Sequence, residues 1–212
     1  MESVGQQYLQ GAKPLSNLSV KSNIEQVARQ FRGMNKKVVN KAVVTALNKT
    51  GAQVKTVIKK EITKATGLKA GNVSKRITTK KANYSRQVFS VRVEGRHFTL
   101  GSYKSKPRET KAGVVHSAWG QRQLAKGAFI INGAGGNRLA VKRVKGQKTS
   151  TGKSKVKALY GASAPVEYYR ADVDKHVNSK IKDKFPKLFA TALDFQFRKA
   201  LKKDRLIGNF VK

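Results

Sequence analysis

The chain has 212 residues, no cysteine and a formal net charge of +35, which arises from 46 Lys and Arg against 11 Asp and Glu. The length predicts one domain, or one domain with appended arms, and the lack of cysteine excludes a disulfide framework and a Cys-ligated zinc site. The charge far exceeds the roughly 2 to 8 that solubility requires of a small domain, so a polyanionic partner is predicted to offset the self-repulsion. The alternative interpretation is a basic surface that is simply solvated.

The N-terminal segment is mixed and polar and does not resemble a signal peptide, and no apolar run is long enough to span a bilayer. Residues 1–20 show no sustained hydrophobic period, which predicts a flexible or extended arm, and residues 21–212 are predicted to form a single domain. Ser22 and Glu25 have the spacing of a capping box, and the short amphipathic helix after them is predicted to end at Gly33.

A second helix, of about thirty residues, is predicted after Asn35, with Thr66 and Gly67 at its end. At 1.5 Å per residue it would be roughly 45 Å long, and Gly51 is a weak point within it. Its apolar side is formed by Val39, Val43, Ala46, Leu47, Val54, Val57, Ile58 and Ile62. Its other side carries Lys36, Lys37, Lys41, Lys49, Lys55, Lys59 and Lys60.

The middle of the chain is rich in strand-forming residues. Short strands are predicted at residues 88–93, 98–100, 113–119, 127–131 and 139–141. The glycine-rich residues 133–137 are predicted to connect the last two as a hairpin. Residues 142–157 are lysine-rich and cannot bury enough apolar surface to offset their ordering entropy, so they are predicted to form a mobile basic loop.

Apolar residues recur every three to four positions from Val173 to Leu201, which predicts a C-terminal helix. Pro186 is predicted to kink this helix or to start a new one, and its aromatic residues are interpreted as core. The sequence therefore predicts an α+β fold, in which a long N-terminal amphipathic helix and a C-terminal helix pack on a small, mostly antiparallel sheet.

No motif indicates an enzyme, and no catalytic residue, metal ligand or cofactor is predicted. His97, His116 and His176 have no acidic residue at a spacing typical of a proton relay or a metal cluster, and His116 is interpreted as structural. Asp172 and Asp174 are interpreted as charges at the start of a helix rather than as metal ligands.

Residues 152–154 (Gly-Lys-Ser) match the end of a phosphate-binding loop, but no strand is predicted to feed them. A phosphoryl-transfer enzyme that depends on Lys153 is therefore a minor alternative.

Clustered cations indicate contact with the phosphate backbone of a nucleic acid or with an acidic protein. Lysine outnumbers arginine in the basic loop, and lysine acts as a point charge, which favours contact without sequence preference. The candidate contact residues are Lys75, Arg76, Lys80, Lys81, Lys142, Arg143, Lys145, Lys148, Lys153, Lys155 and Lys157.

Three motifs lie in order along the chain: residues 41–50 (KAVVTALNKT), residues 126–130 (KGAFI) and residues 184–199 (KFPKLFATALDFQFRK). They resemble the N-terminal helix, the central strand and the C-terminal helix of the phage minor tail protein Z family, the last as in its lambda-like members. The strand motif consists of Gly127, Ala128, Phe129 and Ile130.

Two shorter segments extend this resemblance. Residues 141–143 are similar to the basic strand after the motif, and residues 162–165 to a proline-containing turn before the C-terminal helix. The order and spacing agree over roughly residues 35–200. The N-terminal arm and the length of the lysine-rich loop depart from the family, so nothing is carried over to them.

The resemblance implies a structural tail-completion protein without catalytic residues, which joins the head-proximal end of a tail late in assembly and helps to position the DNA end. It implies a homo-oligomeric ring, expected to be a hexamer, in contact with the tail terminator, the tail tube or other neck proteins, and with virion DNA as a further partner. The expected locations are the virion tail or neck and, during assembly, the host cytoplasm. The alternative function is that of a free, non-specific nucleic-acid-binding protein of the ribosomal or nucleoid type.

Overall fold

A computed structural model of the chain describes residues 16–21, 36–133 and 138–208, with side chains for residues 36–133 and 138–202. Its fold is α+β, as predicted, with long helices near both ends of the described chain and antiparallel strands between them. Most of the N-terminal arm and the predicted capping-box helix at residues 22–33 lie outside the described residues.

The described chain contains four α-helices. They are α1 (Lys36–Thr66), α2 (Ala70–Ser74), α3 (Ala164–Arg170) and α4 (Val173–Gly208). The predicted long helix is therefore confirmed, and its predicted apolar side is buried except at Val57, which is half-buried. Gly67 ends α1 in a left-handed conformation (φ 73°), and its N–H donates to the Thr63 carbonyl at 2.9 Å.

Nine strands form three sheets of three strands each in the described chain. The strands are β1 (Ser16–Lys21), β2 (Ile77–Lys80), β3 (Val88–Val93), β4 (Arg108–Thr110), β5 (Gly113–His116), β6 (Gln123–Lys126), β7 (Ala128–Asn132), β8 (Arg138–Lys148) and β9 (Ser154–Ala158). The sheet orders are β1-β3-β2, β4-β5-β6 and β7-β8-β9.

These elements belong to two compact units. Among the described residues, one unit takes in Ser16 and residues 59–77, 93–133 and 138–173, and it holds the sheets β4-β5-β6 and β7-β8-β9 with α2 and α3. The other takes in the described residues 17–21, 36–58, 78–92 and 174–208, and it holds β3, most of α1 and nearly all of α4.

The second unit shows why a helix that is otherwise regular contains Gly51. A Cβ atom at this position would overlap the ring of Phe89, which is itself buried on β3. The ring therefore lies directly on the helix backbone. The glycine lowers helix propensity, and the close approach of Phe89 compensates for it.

Of the two outcomes predicted for Pro186, the start of a new helix is wrong, because Pro186 lies inside α4. The aromatic residues of α4 are not all core: Phe189 is buried and stacks on Phe185 with centroids 6.1 Å apart, whereas Phe195 is 61% exposed. The helical period of the apolar residues does not show how much of the helix surface is buried.

Residues 142–157, predicted as a loop, form the outer part of β8, a turn and β9. Backbone hydrogen bonds between β8 and β9 order this segment. The side chains do not predict this, because backbone pairing between strands needs no apolar residues. β7 and β8 pair antiparallel, with Asn132 opposite Arg138, but residues 134–137 of the predicted hairpin connection lie outside the described residues.

The segment after β9 is fixed in the first unit by two buried polar contacts. The Tyr103 hydroxyl accepts a hydrogen bond from the Ala162 N–H at 2.6 Å, and burial raises the pKa of Tyr103 to about 12. The Trp119 indole Nε1 donates to the Glu167 carboxylate at 2.8 Å, and Glu167 is only 3% exposed. Gly161 leaves room for the Tyr103 hydroxyl, because a Cβ atom there would overlap it.

Replacement of Gly51 by alanine is expected to destabilise the protein. The helix would gain about 1 kcal/mol in propensity, but overpacking against the Phe89 ring costs about 1–3 kcal/mol. Urea unfolding would measure the difference. Gly71 in α2 is the matched control, because a Cβ atom there would have no neighbour within 4 Å, and Gly71→Ala should be neutral or stabilising. Equal effects at the two positions would contradict the packing argument.

Replacement of Trp119 by phenylalanine should lower the free energy of unfolding by about 1–3 kcal/mol, because it leaves the buried Glu167 carboxylate without its indole donor. Glu167→Gln is the control, since it keeps an acceptor oxygen for Trp119 and removes the buried charge. In thermal melts the tryptophan variant should be the less stable of the two. The reverse order would show that Trp119 contributes through ring packing instead.

Candidate nucleic-acid interface

The candidate interface is centred on residues 142–157, hereafter the basic hairpin. Its two strands pair antiparallel, with Lys142 opposite Lys157 and Arg143 opposite Val156. A register shift follows, and pairing resumes with Lys148 opposite Ser154. The turn is closed by the Thr149 N–H, which donates to the Lys153 carbonyl at 2.7 Å.

The basic hairpin extends past the third strand of its sheet. The pairing of β7 with β8 ends at Ala128 and Lys142, so the part of β8 beyond Lys142 has β9 as its one partner strand in the described chain. Every residue from Lys145 to Lys157 is exposed. The predicted contact residues of this segment are therefore brought together on one accessible ribbon.

The family-motif strand, Gly127 to Ile130, supports the base of this ribbon. Gly127 has φ 68° and its N–H donates to the Ala112 carbonyl at 3.1 Å, while the adjacent Ala128 is buried. The guanidinium of Arg143 lies over the Phe129 ring, with its Cζ 5.0 Å from the ring centroid. This cation–π contact holds the arginine against β7.

The hairpin lies in a part of the sequence that has no acidic residues. No Asp or Glu occurs between Glu109 and Glu167, and that interval contains 11 Lys and Arg residues. Both flanking carboxylates have other partners: Glu109 accepts from the Ile130 N–H at 3.1 Å, and Glu167 binds Trp119 and lies 3.8 Å from Arg170. Within the described chain, no carboxylate forms a salt bridge with a cation of the hairpin.

The other predicted contact residues are exposed and belong to other parts of the chain. Lys75 and Arg76 follow α2, and the Arg76 guanidinium lies 5.6 Å from the centroid of the Phe98 ring. Arg76 therefore has a structural role in the first unit. Lys80 and Lys81 lie at the end of β2 in the second unit.

Two of the three histidines, His97 and His116, have structural surroundings, and His176 is exposed on α4. His97 Nδ1 lies 2.8 Å from the Gly161 carbonyl oxygen, and the Ala118 N–H approaches His116 Nδ1 at 3.4 Å. Burial lowers the pKa of His116. Among the described residues, no group of three or more His, Cys, Asp or Glu is placed to hold a metal ion.

The other motifs with a possible chemical role are the acidic residues before and within α4 and the Gly-Lys-Ser segment. Asp174 lies in the first turn of α4, where a negative charge favours the helix dipole. Gly152 has φ 76° in the hairpin turn, and β9 begins at Ser154, so no helix N-terminus follows the Gly-Lys-Ser segment as a phosphate-binding loop requires. No helix in the described part of the chain has the length and apolarity needed to cross a bilayer.

The sequence alone does not predict the long-range contacts of two carboxylates in the first unit. Glu109 binds the motif strand from 21 residues away, and Trp119 binds Glu167 from 48 residues away. Contacts over such distances leave no local pattern. The scarcity of acidic residues could have pointed to Glu109 and Glu167, because a carboxylate in a strongly basic chain is a candidate for a specific internal contact.

Replacement of Lys157 by glutamine should stabilise the folded chain, because Lys142 lies directly opposite in the ladder. Like charges in this position destabilise a sheet, and their removal is expected to add about 0.5 kcal/mol, more at low salt. Lys153→Gln removes the same charge from the turn and serves as the control. Thermal melts at two ionic strengths would decide, and equal shifts for the two variants would contradict the cross-strand repulsion.

A family model described as prophage minor tail protein Z (GPZ) matches residues 21–203, which is most of the chain and includes α1, the basic hairpin and all but the last five residues of α4. No curated protein and no solved structure matches the chain significantly.

Proposed function

The chain belongs to the prophage minor tail protein Z family and is thus a structural protein of a phage tail, and we propose that it completes the head-proximal end of that tail. In this role it helps to join head and tail and to position the DNA end. It acts without catalysis, as a ring, expected to be a hexamer, that contacts the tail terminator, the tail tube or other neck proteins. The protein enters the virion from the host cytoplasm during assembly.

One observation carries the proposal beyond the family: the basic hairpin presents its cations without any paired carboxylate in the described chain. The head-proximal end is the part of a tail that meets packaged DNA, which is a polyanion. A protein at that place would have its self-repulsion offset by phosphate. A protein elsewhere along the outside of the tail would meet no such partner.

The second candidate is a free, non-specific nucleic-acid-binding protein. The same exposed cations favour it, since phosphate contact needs no tail. The two functions differ in where the protein resides. A tail-completion protein is present in purified virions at a small fixed number of copies, whereas a free binding protein is absent from them.

The test is a phage that carries a nonsense mutation in this gene. Tails made without the protein are expected to reach normal length but to fail to produce infectious particles when mixed with DNA-filled heads. Addition of the purified protein to these tails before mixing should restore infectivity. Electron microscopy would count joined particles, and wild-type tails treated in the same way are the control. Normal joining and normal DNA delivery by the deficient tails would contradict the proposal.

A further inference from the structure

The outer part of the basic hairpin has the dimensions of a groove-binding element. Beyond Lys142, β8 continues for six residues, which at about 3.3 Å per residue is roughly 20 Å of strand. A two-stranded ribbon fits the major groove of duplex DNA, which is about 12 Å wide and about 8.5 Å deep. The exposed length therefore exceeds what full insertion requires.

Cations occupy both faces of this ribbon. Residues directly opposite in an antiparallel ladder share a face, so Lys142 and Lys157 lie on one face, with Lys155 two positions along. Arg143 and Lys148 lie on the other face, opposite Val156 and Ser154. A ribbon that rests flat on a charged surface needs cations on one face. A ribbon between the two phosphate walls of a groove meets anions on both sides.

The composition of the hairpin fits a polyanion better than a protein partner. Protein interfaces are enriched in aromatic residues, Met and Arg at their centre and are depleted in Lys. Residues 142–157 contain six lysines, one arginine and no aromatic residue or Met. The tip, Thr149 to Gly152, has small side chains, and the Thr149 and Thr151 hydroxyls lie 2.9 Å apart. Such a tip can enter a groove without a steric clash with the bases.

We propose that the basic hairpin inserts into the major groove of duplex DNA and contacts the phosphates of both strands through its two faces. Recognition is expected to be independent of sequence, because six of the seven cations of the segment are lysines, which act as point charges and lack the planar fork of arginine. This inference deepens the proposed function, which supplies the DNA; the binding itself is a property of the purified chain.

Two variants of equal charge loss separate the faces. Lys155→Gln/Lys157→Gln removes two cations from one face, and Arg143→Gln/Lys148→Gln removes two from the other. Lys106→Gln/Lys111→Gln removes two exposed cations outside the hairpin and is the control. Binding of the full-length proteins to a 20-base-pair duplex of mixed sequence would be measured from 50 to 300 mM salt, after circular dichroism has confirmed folding.

Each hairpin variant is expected to reduce the slope of log K against log salt by about 2, because each lost phosphate contact contributes about 0.9. The control variant should change the slope by less than half as much. Methyl green, which occupies the major groove, should compete with the wild-type protein, whereas netropsin, a minor-groove ligand, should not.

Three results would overturn the proposal. A slope change in one hairpin variant alone would show that the ribbon lies flat on its partner. Unchanged DNA binding in both variants, with defective assembly of phage that carry them, would identify an acidic protein as the partner. Competition by netropsin but not by methyl green would place the hairpin outside the major groove.

The outcome is separable from that of the tail-joining test. Loss of the groove contact in vitro, with a continued requirement for the protein in head–tail joining, would remove this inference and leave the proposed function. Groove binding as expected, with normal joining by deficient tails, would do the opposite.

Discussion

Electrostatic self-repulsion is the constraint on which the rest of this structure depends. A chain with 46 cationic and 11 acidic side chains cannot neutralise itself, so its stability rests on an apolar interior and on the placement of its few carboxylates. The buried positions follow this rule. Val43, Leu47 and Ile58 of α1 and Phe89 and Val91 of β3 are almost fully buried, whereas the lysines of α1 remain exposed or half-exposed.

Two carboxylates of the first unit accept hydrogen bonds from backbone or indole N–H groups. Glu109 binds the Ile130 N–H of the motif strand, and Glu167 binds the Trp119 indole. Neither is left to pair with the lysines of the basic hairpin. In the proposed function, the cations of the hairpin are therefore left for an external anion.

The sequence predicted those elements whose signal is local. The bounds of α1 follow from a regular apolar period and a terminal glycine, and β3 follows from a run of strand formers. The role of Gly51 could not be predicted, because its cause is the ring of Phe89, 38 residues later in the chain. Nor could the β8–β9 ladder, since its stability comes from backbone pairing in a segment whose lysines, glycines and serines are typical of loops.

Of the candidate interface, the sequence identified the cations but not their grouping. The hairpin segment supplies seven of the eleven predicted contacts on one ribbon, while Arg76 lies over Phe98 and Lys80 and Lys81 belong to the other unit. Charge is visible in composition, whereas the face on which a charge lies depends on register. The pairing of Lys142 with Lys157 could therefore be recognised only from the structure.

The central claim is that this member of the minor tail protein Z family sits at the head-proximal end of the tail with its basic hairpin directed at DNA. Cryo-electron microscopy of the intact virion neck, at a resolution that shows side chains, tests it most directly. We expect a ring of this chain at the junction of head and tail, with Lys155 and Lys157 of each subunit within contact distance of the phosphates of the DNA end. A location along the tail tube or at the distal tip, or hairpins enclosed by protein and remote from DNA, would contradict it.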